Sequence, residues 1–239
     1  MKPKVALVMA TLDYWQPWKM AGQVLREAKR RGFETAVAVD DRSKGGTTEA
    51  IAPFVDRLMN FPNDKPYCEE VLDELIESCH SSWCFIVSDD EMPSDQLWEF
   101  ASNVPRAESL IYRPRMVAPL PGWRGHYLPL LTKQPRVFPQ GSIRWPNGGI
   151  DILPVRAIPE ADIPEVLWHF NLWAPRVARE TKAAAHEAAW NLNYESHPWP
   201  YPGRKSYLYE DHMDEVAPLG EFERYRMLGR APTKSLVTT

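Results

Sequence analysis

The sequence predicts an α/β fold, a mostly parallel sheet flanked by helices, and three observations lead there. Strand and helix signals alternate through the first hundred residues. An apolar run over 83–87 breaks at Ser88 into Asp89-Asp90-Glu91, and eleven of the 23 prolines crowd between residues 105 and 164. Alternation of this kind implies βαβ units and parallel pairing. An acid-terminated buried strand puts its charges on the edge where open α/β sheets bind ligands. Proline removes backbone donors, so residues 105–164 are expected on edges and loops around the rim of the sheet.

Residues 4–10 read as a buried strand. A helix follows over 18–31, with Trp18, Ala21, Leu25 and Ala28 on one face. Lys29, Arg30 and Arg31 suit its negative C-terminal end, and Gly32 is placed to stop it. A second strand over 33–39 ends in Asp40-Asp41-Arg42-Ser43. Lys44-Gly45-Gly46 then turns into a short helix near Thr48, and a third strand covers 57–61. Pro66 opens a helix to about Ser78 whose buried stripe is Val71, Leu72, Leu75, Ile76 and Cys79. After the acid-terminated strand, Ser94 suits the N-cap of a helix through Ala101, with Glu91 assigned to that helix. Short strands are expected at 110–112, 134–138 and 142–145, and a further one at 166–172. An Ala-rich helix spans 176–192, with Val177, Ala184, Ala188 and Trp190 available for packing. The tail from Tyr194 has aromatics, His and Pro but little periodicity.

Composition narrows the function classes. The hydrophobic share is 44% and the charged share 25%, ordinary for a globular protein, and the net charge of −4 gives no general polyanion-binding field. Nucleic acid would need a local basic patch. No apolar run approaches the ~18 residues of a membrane span, and the N-terminal apolar stretch is short for a secretory signal. Cys68, Cys79 and Cys84 are odd in number with no CxxC spacing, which fits a reduced, cytoplasmic setting. There is no GxxxxGK[ST] loop and no GxGxxG after the first strand.

Two strand ends present acids on one edge, Asp40-Asp41 and Asp89-Asp90-Glu91, and the first strand adds Thr11, Leu12 and Asp13. Like charges held together usually hold a cation as well. This order resembles the nucleotide-sugar half of GT-A-type glycosyltransferases, particularly family 2, a GT-A-like (Rossmann-like) fold. Val37-Ala38-Val39-Asp40-Asp41-Arg42-Ser43 is similar to the family's Asp-Asp-x-Ser element, with Arg42 where Gly is frequent. Phe85-Ile86-Val87-Ser88-Asp89-Asp90-Glu91 resembles its strand ending in Asp-Ala-Asp-Glu, with Ser88 in place of the first acid. Gly122-Trp123-Arg124-Gly125 and Gln134-Pro135-Arg136-Val137-Phe138 are similar to the stretch before the acceptor site. The segment 142–151 resembles one that ends in an acid, near Asp151, and Val166-Leu167-Trp168-His169-Phe170 resembles a late strand whose His approaches metal and diphosphate.

The resemblance covers roughly residues 4–192 and implies a single GT-A-like domain over 1–239. Residues 1–104 would be its nucleotide-sugar-binding half, 105–193 its acceptor half, and 194–239 a C-terminal tail or lid. It implies transfer of a sugar from a nucleotide-diphosphate-sugar donor, UDP- or GDP-linked, to a hydroxyl acceptor that is a protein, glycan, nucleic acid or small molecule. The cofactor implied is Mn²⁺ or Mg²⁺, held by Asp90 and His169. Donor binding falls to Thr11, Leu12, Asp40, Asp41, Asp89 and Arg136, and the catalytic base to Asp151, with Glu160 and Asp162 as alternatives.

Each residue also has a plainer reading. Asp40-Asp41 before Ser and Gly-Gly suits an Asx turn, and His169 suits an apolar strand as a core histidine. Asp151 follows Gly-Gly as turn residues do. Arg113, Arg115 and Arg136 are surface charges, or one of them holds the diphosphate. Trp123, Trp145, Trp168 and Trp199 pack the core or stack on sugar rings. Three other functions stay open: a non-catalytic sugar-nucleotide or glycan-binding module, a structural or interaction protein using the aromatic tail, and a sugar-nucleotidyltransferase. The last is expected to open with a Gly-rich loop that Val8–Asp13, numbered 8–13, does not supply.

Overall fold

Six of the seven residues of β1 (Val5–Thr11) are apolar, on both sides of the strand, a pattern that fits a sheet covered on both faces. In the computed structural model β1 is that central strand. The structure describes residues 4–12, 20–43, 46–62, 71–105, 109–119, 126–129, 134–145, 155–170, 176–177, 179–181, 183–184 and 217–218. They fall into two compact units, residues 1–115 with 133–167, and residues 116–132 with 168–239.

In the first unit β1 pairs in parallel with β2 (Glu34–Asp40) on one side and with β4 (Trp83–Ile86) on the other. Strand β3 (Arg57–Phe61) extends the sheet beyond β2, also in parallel. Strands β1 to β3 therefore build outward in one direction, while β4 is added on the opposite side. The order reverses between β1 and β4, and such a reversal opens a crevice at the carboxyl ends of the two strands. Beyond β4 the pairing turns antiparallel, first to β8 (Val137–Pro139) and then to β6 (Ile111–Pro119). A three-residue strand, β5 (Glu91–Pro93), pairs with β11 (Glu160–His169), and the small ribbon of β9 (Ile143–Arg144) and β10 (Val155–Arg156) lies apart.

Alternation along the central strands sends side chains to two faces. Ala6, Val8, Ala36, Ala38, Cys84 and Ile86 face Leu72, Leu75 and Ile76 of α3 (Leu72–Ser78). On the other strand face Phe85 meets Trp98 of α4 (Asp95–Ser102) edge-on, ring centroids 5.4 Å apart. Phe33 closes on the same indole at 5.8 Å, and aromatic pairs of this kind add about 0.5–1.5 kcal/mol beyond area burial. Helix α1 (Met20–Arg30) buries Met20, Val24, Leu25 and Ala28 at helical spacing and packs on β2 and β5. It ends where the sequence predicts: Gly32 has φ +77°, Gly32 N–H reaches Lys29 O at 2.9 Å, and Phe33 N–H reaches Ala28 O at 3.0 Å. This Schellman pattern needs a left-handed residue, so glycine fits at position 32. Ser94 caps α4 as expected, its Oγ accepting from Leu97 N–H at 3.2 Å. A short helix, α2 (Thr47–Ile51), follows Gly46 at φ +78°.

In the second unit β7 (His126–Pro129) pairs antiparallel with Val117–Pro119, numbered 117–119, and with β12 (Ala217–Pro218). A helical stretch occupies the described positions of 176–184. No helix among the described residues is long and apolar enough to cross a membrane.

Four expectations need correction. Glu91 belongs to strand β5, not to the following helix, because Ser94 starts the helix three residues later. Strand β6 runs nine residues rather than 110–112, and β11 begins at Glu160 rather than 166. Both strands run through a proline, Pro114 in β6 and Pro164 in β11, because proline forfeits only its own N–H while its φ remains compatible with an extended chain. Val177 is 74% exposed and Ala184 is also exposed, whereas Ala183 takes the buried position. The starts of the helices expected at 18 and 66, and Ala188 and Trp190, lie outside the described residues.

Candidate functional site

The crevice between β1 and β4 is bridged by one aspartate. Asp89, three residues past β4, accepts from Thr11 Oγ1 at 2.8 Å and from Leu12 N–H at 2.9 Å, both through Oδ2. Thr11 ends β1 and is 3% exposed, and Leu12 is buried as well. Three predicted site residues from positions 77 and 78 apart in sequence thus meet where the strand order reverses. Two donors on one carboxylate oxygen fix its direction.

Asp90, the next residue, is only 2% exposed, while Asp89 keeps partial exposure. Glu91 turns away from this edge. Its carboxylate, 0% exposed, pairs at 2.6 Å with Arg136 Nη2, whose side chain is 5% exposed. Arg136 is thereby placed in the interior beside Glu91 and Gln134. The run of three acids divides: Asp89 meets the end of β1, Asp90 is buried beside it, and Glu91 forms a buried ion pair. Sequence reasoning missed this pair, although Glu91 before Met92-Pro93 was a signal: an acid in an apolar strand needs a buried cation.

The end of β2 divides in the same way. Asp40 is fully buried, and its carboxylate accepts from Arg42 N–H at 2.9 Å, Arg42 Nε at 2.9 Å and Arg42 Nη2 at 2.5 Å. Asp41 points to solvent, and its N–H is tied to Phe61 O at 3.0 Å. Asp40-Asp41-Arg42 is thus a compact ionic turn at a strand end, with Asp40 buried and Asp41 exposed.

The remaining predicted residues are placed as follows. His169 ends β11, partly buried, in the second unit. Glu160 and Asp162 both pair with Arg113, at 2.6 and 2.8 Å, so Arg113 is not a bare surface charge. Trp145 and Trp168 are 5% and 7% exposed, which fits packing, the first of their two readings. Asp151, Trp123 and Trp199 lie outside the described residues. Burial pushes the Cys79 thiol up to about 11, with the nearby Glu34 carboxylate adding to it, and raises Cys84 further. Neither supplies a thiolate near neutral pH, so cysteine nucleophile chemistry is not available from them.

Among the described residues, no three His, Cys, Asp or Glu side chains converge as a metal cage. The donor set at the crevice nevertheless fits Mg²⁺ or Mn²⁺. These ions favour hard oxygen ligands and need only one or two carboxylates when phosphate oxygens and water complete the shell.

The sheet reverses between β1 and β4, with acids at the ends of both neighbours of β1, and the solved structures that match it give the class: this is the fold of GT-A-type glycosyltransferases. No family model matches the sequence, and no curated protein matches it. Solved structures match at the level of fold. The mannosyltransferase PcManGT from Pyrobaculum calidifontis, in complex with GDP-Man and Mn²⁺, superposes with TM-score 0.51 at 13% identity over 89% of this chain and 70% of its own. Staphylococcus aureus TarS 1-349, in complex with UDP-GlcNAc, gives 0.50 at 12% identity over 87% of this chain and 71% of its own. Glucosyl-3-phosphoglycerate synthase from Mycobacterium tuberculosis, in complex with Mn²⁺, UDP and phosphoglyceric acid, gives 0.50 at 12% over 80% and 78%. Against a longer TarS chain the match spans 44% of that chain.

Proposed function

We propose that this protein is a metal-dependent glycosyltransferase that moves a sugar from a nucleotide-diphosphate-sugar donor to a hydroxyl acceptor. The observation that carries the reading is the bridge from Thr11 and Leu12 to Asp89 across the strand-order reversal, which builds an anion-rich wall where such folds bind nucleotides. The neighbours' complexes with UDP-GlcNAc, with UDP and Mn²⁺, and with GDP-Man and Mn²⁺ support a nucleotide-sugar donor and a divalent ion.

Residues 1–104 would bind the donor. Asp90, with Asp89 beside it, would hold the metal. When bound, the ion would neutralise the charge that develops on the diphosphate leaving group. Asp41 would accept from the base or ribose, with Asp40 and Arg42 shaping its turn. Arg136 is assigned to hold Glu91 rather than the diphosphate. Asp151 remains the first choice for the base that takes the acceptor's proton. Glu160 and Asp162 rank behind it because both are engaged by Arg113. The buried, reduced Cys79 and Cys84 support a reducing compartment such as the cytoplasm.

A thermal-shift series with UDP and GDP, each with Mn²⁺ and with EDTA, tests this. A ligand at a hundred times its Kd adds about 2.7 kcal/mol to stability, so one nucleotide should raise Tm clearly with Mn²⁺ and far less with EDTA. No shift with either nucleotide contradicts the proposal. Ser88 in place of an acid favours one other reading, a sugar-nucleotide-binding module without catalysis. Metal-dependent binding of a UDP- or GDP-sugar with no release of the nucleotide diphosphate over hours would favour that module.

A further inference from the structure

The turn carrying Asp89 and Asp90 is closed by a side chain at its own far end. Ser88 N–H donates to Glu91 Oε2 at 2.8 Å, and Glu91 N–H donates to Ser88 O at 3.1 Å. Residues 88 and 91 hold each other in both directions across the two aspartates. The other oxygen, Glu91 Oε1, accepts from Arg136 Nη2 at 2.6 Å, and the same nitrogen reaches Gln134 Oε1. Arg136 is fixed by its backbone too. Its N–H donates to Tyr112 O at 3.0 Å, and its O accepts from Ile86 N–H at 2.8 Å. The guanidinium is thus registered against β4, the strand that delivers the turn, and against β6.

A buried ion pair is a poor source of net stability, since desolvation offsets much of the attraction and an apolar pair of similar volume often does as well. The pair therefore needs another reason for lying one residue past Asp90. Partners that orient metal-binding groups from behind typically change metal affinity ten- to a hundredfold when lost.

We infer that Glu91 and Arg136 are positioning residues: Arg136 holds Glu91, Glu91 holds the Ser88 N–H, and the closed turn sets the direction in which Asp89 and Asp90 meet a cation and diphosphate. This rests on the reading that the crevice binds a metal and a nucleotide diphosphate. Only the backbone of residue 88 enters the device, so the turn does not depend on the side chain that stands there.

The test replaces both charges at once, Glu91→Met with Arg136→Met, so that neither ion is left buried alone. Three quantities are read: Tm, amide hydrogen exchange over residues 87–92 without ligand, and binding of UDP and GDP with Mn²⁺ by calorimetry. The expected result is a Tm near that of the wild type, faster exchange in 87–92, and Mn²⁺-dependent binding weaker by roughly 10- to 100-fold. A merely structural pair would be replaced without cost, so wild-type exchange, or faster exchange with wild-type binding, overturns the inference. If the double variant does not fold, Arg136→Lys keeps the charge but loses the planar fork; it should show the same two changes in smaller measure, and wild-type values in either overturn the inference. Wild-type protein that binds neither nucleotide with Mn²⁺ overturns the underlying functional reading and the link to the cation. Faster exchange in the variant would in that case still show Glu91 and Arg136 fixing the turn.

Discussion

At the scale of single residues, the acids at the sheet edge look alike in sequence and differ in structure. Asp89 is held by two donors from the end of β1, Glu91 is buried against Arg136, and Asp40 is wrapped by Arg42. The edge location of Asp89 and Asp90 was legible, because a short apolar strand ending in acids fixes where they emerge. The partner of Glu91 was not, since a pairing over 45 residues leaves no local periodicity to read, whereas the local turn at Asp40 was among the readings the sequence offered. Thr11→Val keeps the β-branched shape while deleting the hydroxyl that donates to Asp89. Hydrogen bonds to charged groups contribute about 1.5–3 kcal/mol, and this partly exposed one belongs at the lower end, about 1.5 kcal/mol by urea denaturation. A change within error would mean that Leu12 N–H alone holds the carboxylate. The thiols give a second expectation. With Cys79 raised to about 11 and Cys84 higher still, both also buried, a maleimide at pH 7.5 should leave them unmodified in the native protein. Mass spectrometry after proteolysis finding rapid label on Cys84 would contradict its burial.

At the scale of elements, the strands and helices of the first hundred residues were legible because each carries its own period and its own stop signal. Gly32 and Ser94 are examples where a single residue type announces a boundary. The proline-bearing strands β6 and β11 were less so, since their pairing depends on partners far away in sequence and not on local pattern. The edge of the sheet opposite the crevice is tied by carboxylates as well. Burial raises the Glu34 carboxyl, but His80 N–H, Ser81 Oγ and Arg57 outweigh it and hold it below its ordinary 4.5. Burial likewise raises Asp56, while Lys29 and Thr35 outweigh it and hold it below 3.8. A carboxyl depressed in the folded state stabilises the protein above its unfolded value, and that contribution is lost as pH falls through the folded value. These two ties, joining β2 to the segments before β3 and β4, should hold at pH 6 and weaken progressively below about pH 4.5. Tm followed from pH 6 to pH 3 should fall, and Glu34→Gln should fall less over the same range. An identical pH dependence in that variant would show that Glu34 carries none of it.

At the scale of the whole molecule, the fold places its chemistry through topology. A sheet that builds outward from β1 and then reverses to β4 leaves one crevice between strand ends, and the acids of β2 and β4 fall on the edge that opens it. That architecture was predicted from alternation and matches structures with 12–13% identity, which is the signature of a shared fold with little shared sequence. The acceptor side was not legible to the same depth, because Pro-rich, aperiodic sequence carries little information about its own partners. The most direct measurement is calorimetric titration of UDP and GDP into the wild-type protein and into Asp90→Ala, each with Mn²⁺ and with EDTA. The account predicts one nucleotide bound with Mn²⁺, at least tenfold weaker binding in EDTA, and loss of that metal dependence in Asp90→Ala, consistent with the tenfold or greater cost of removing a metal-site group. Equal affinity with Mn²⁺ and EDTA, or an Asp90→Ala protein that keeps the full metal effect, would contradict it.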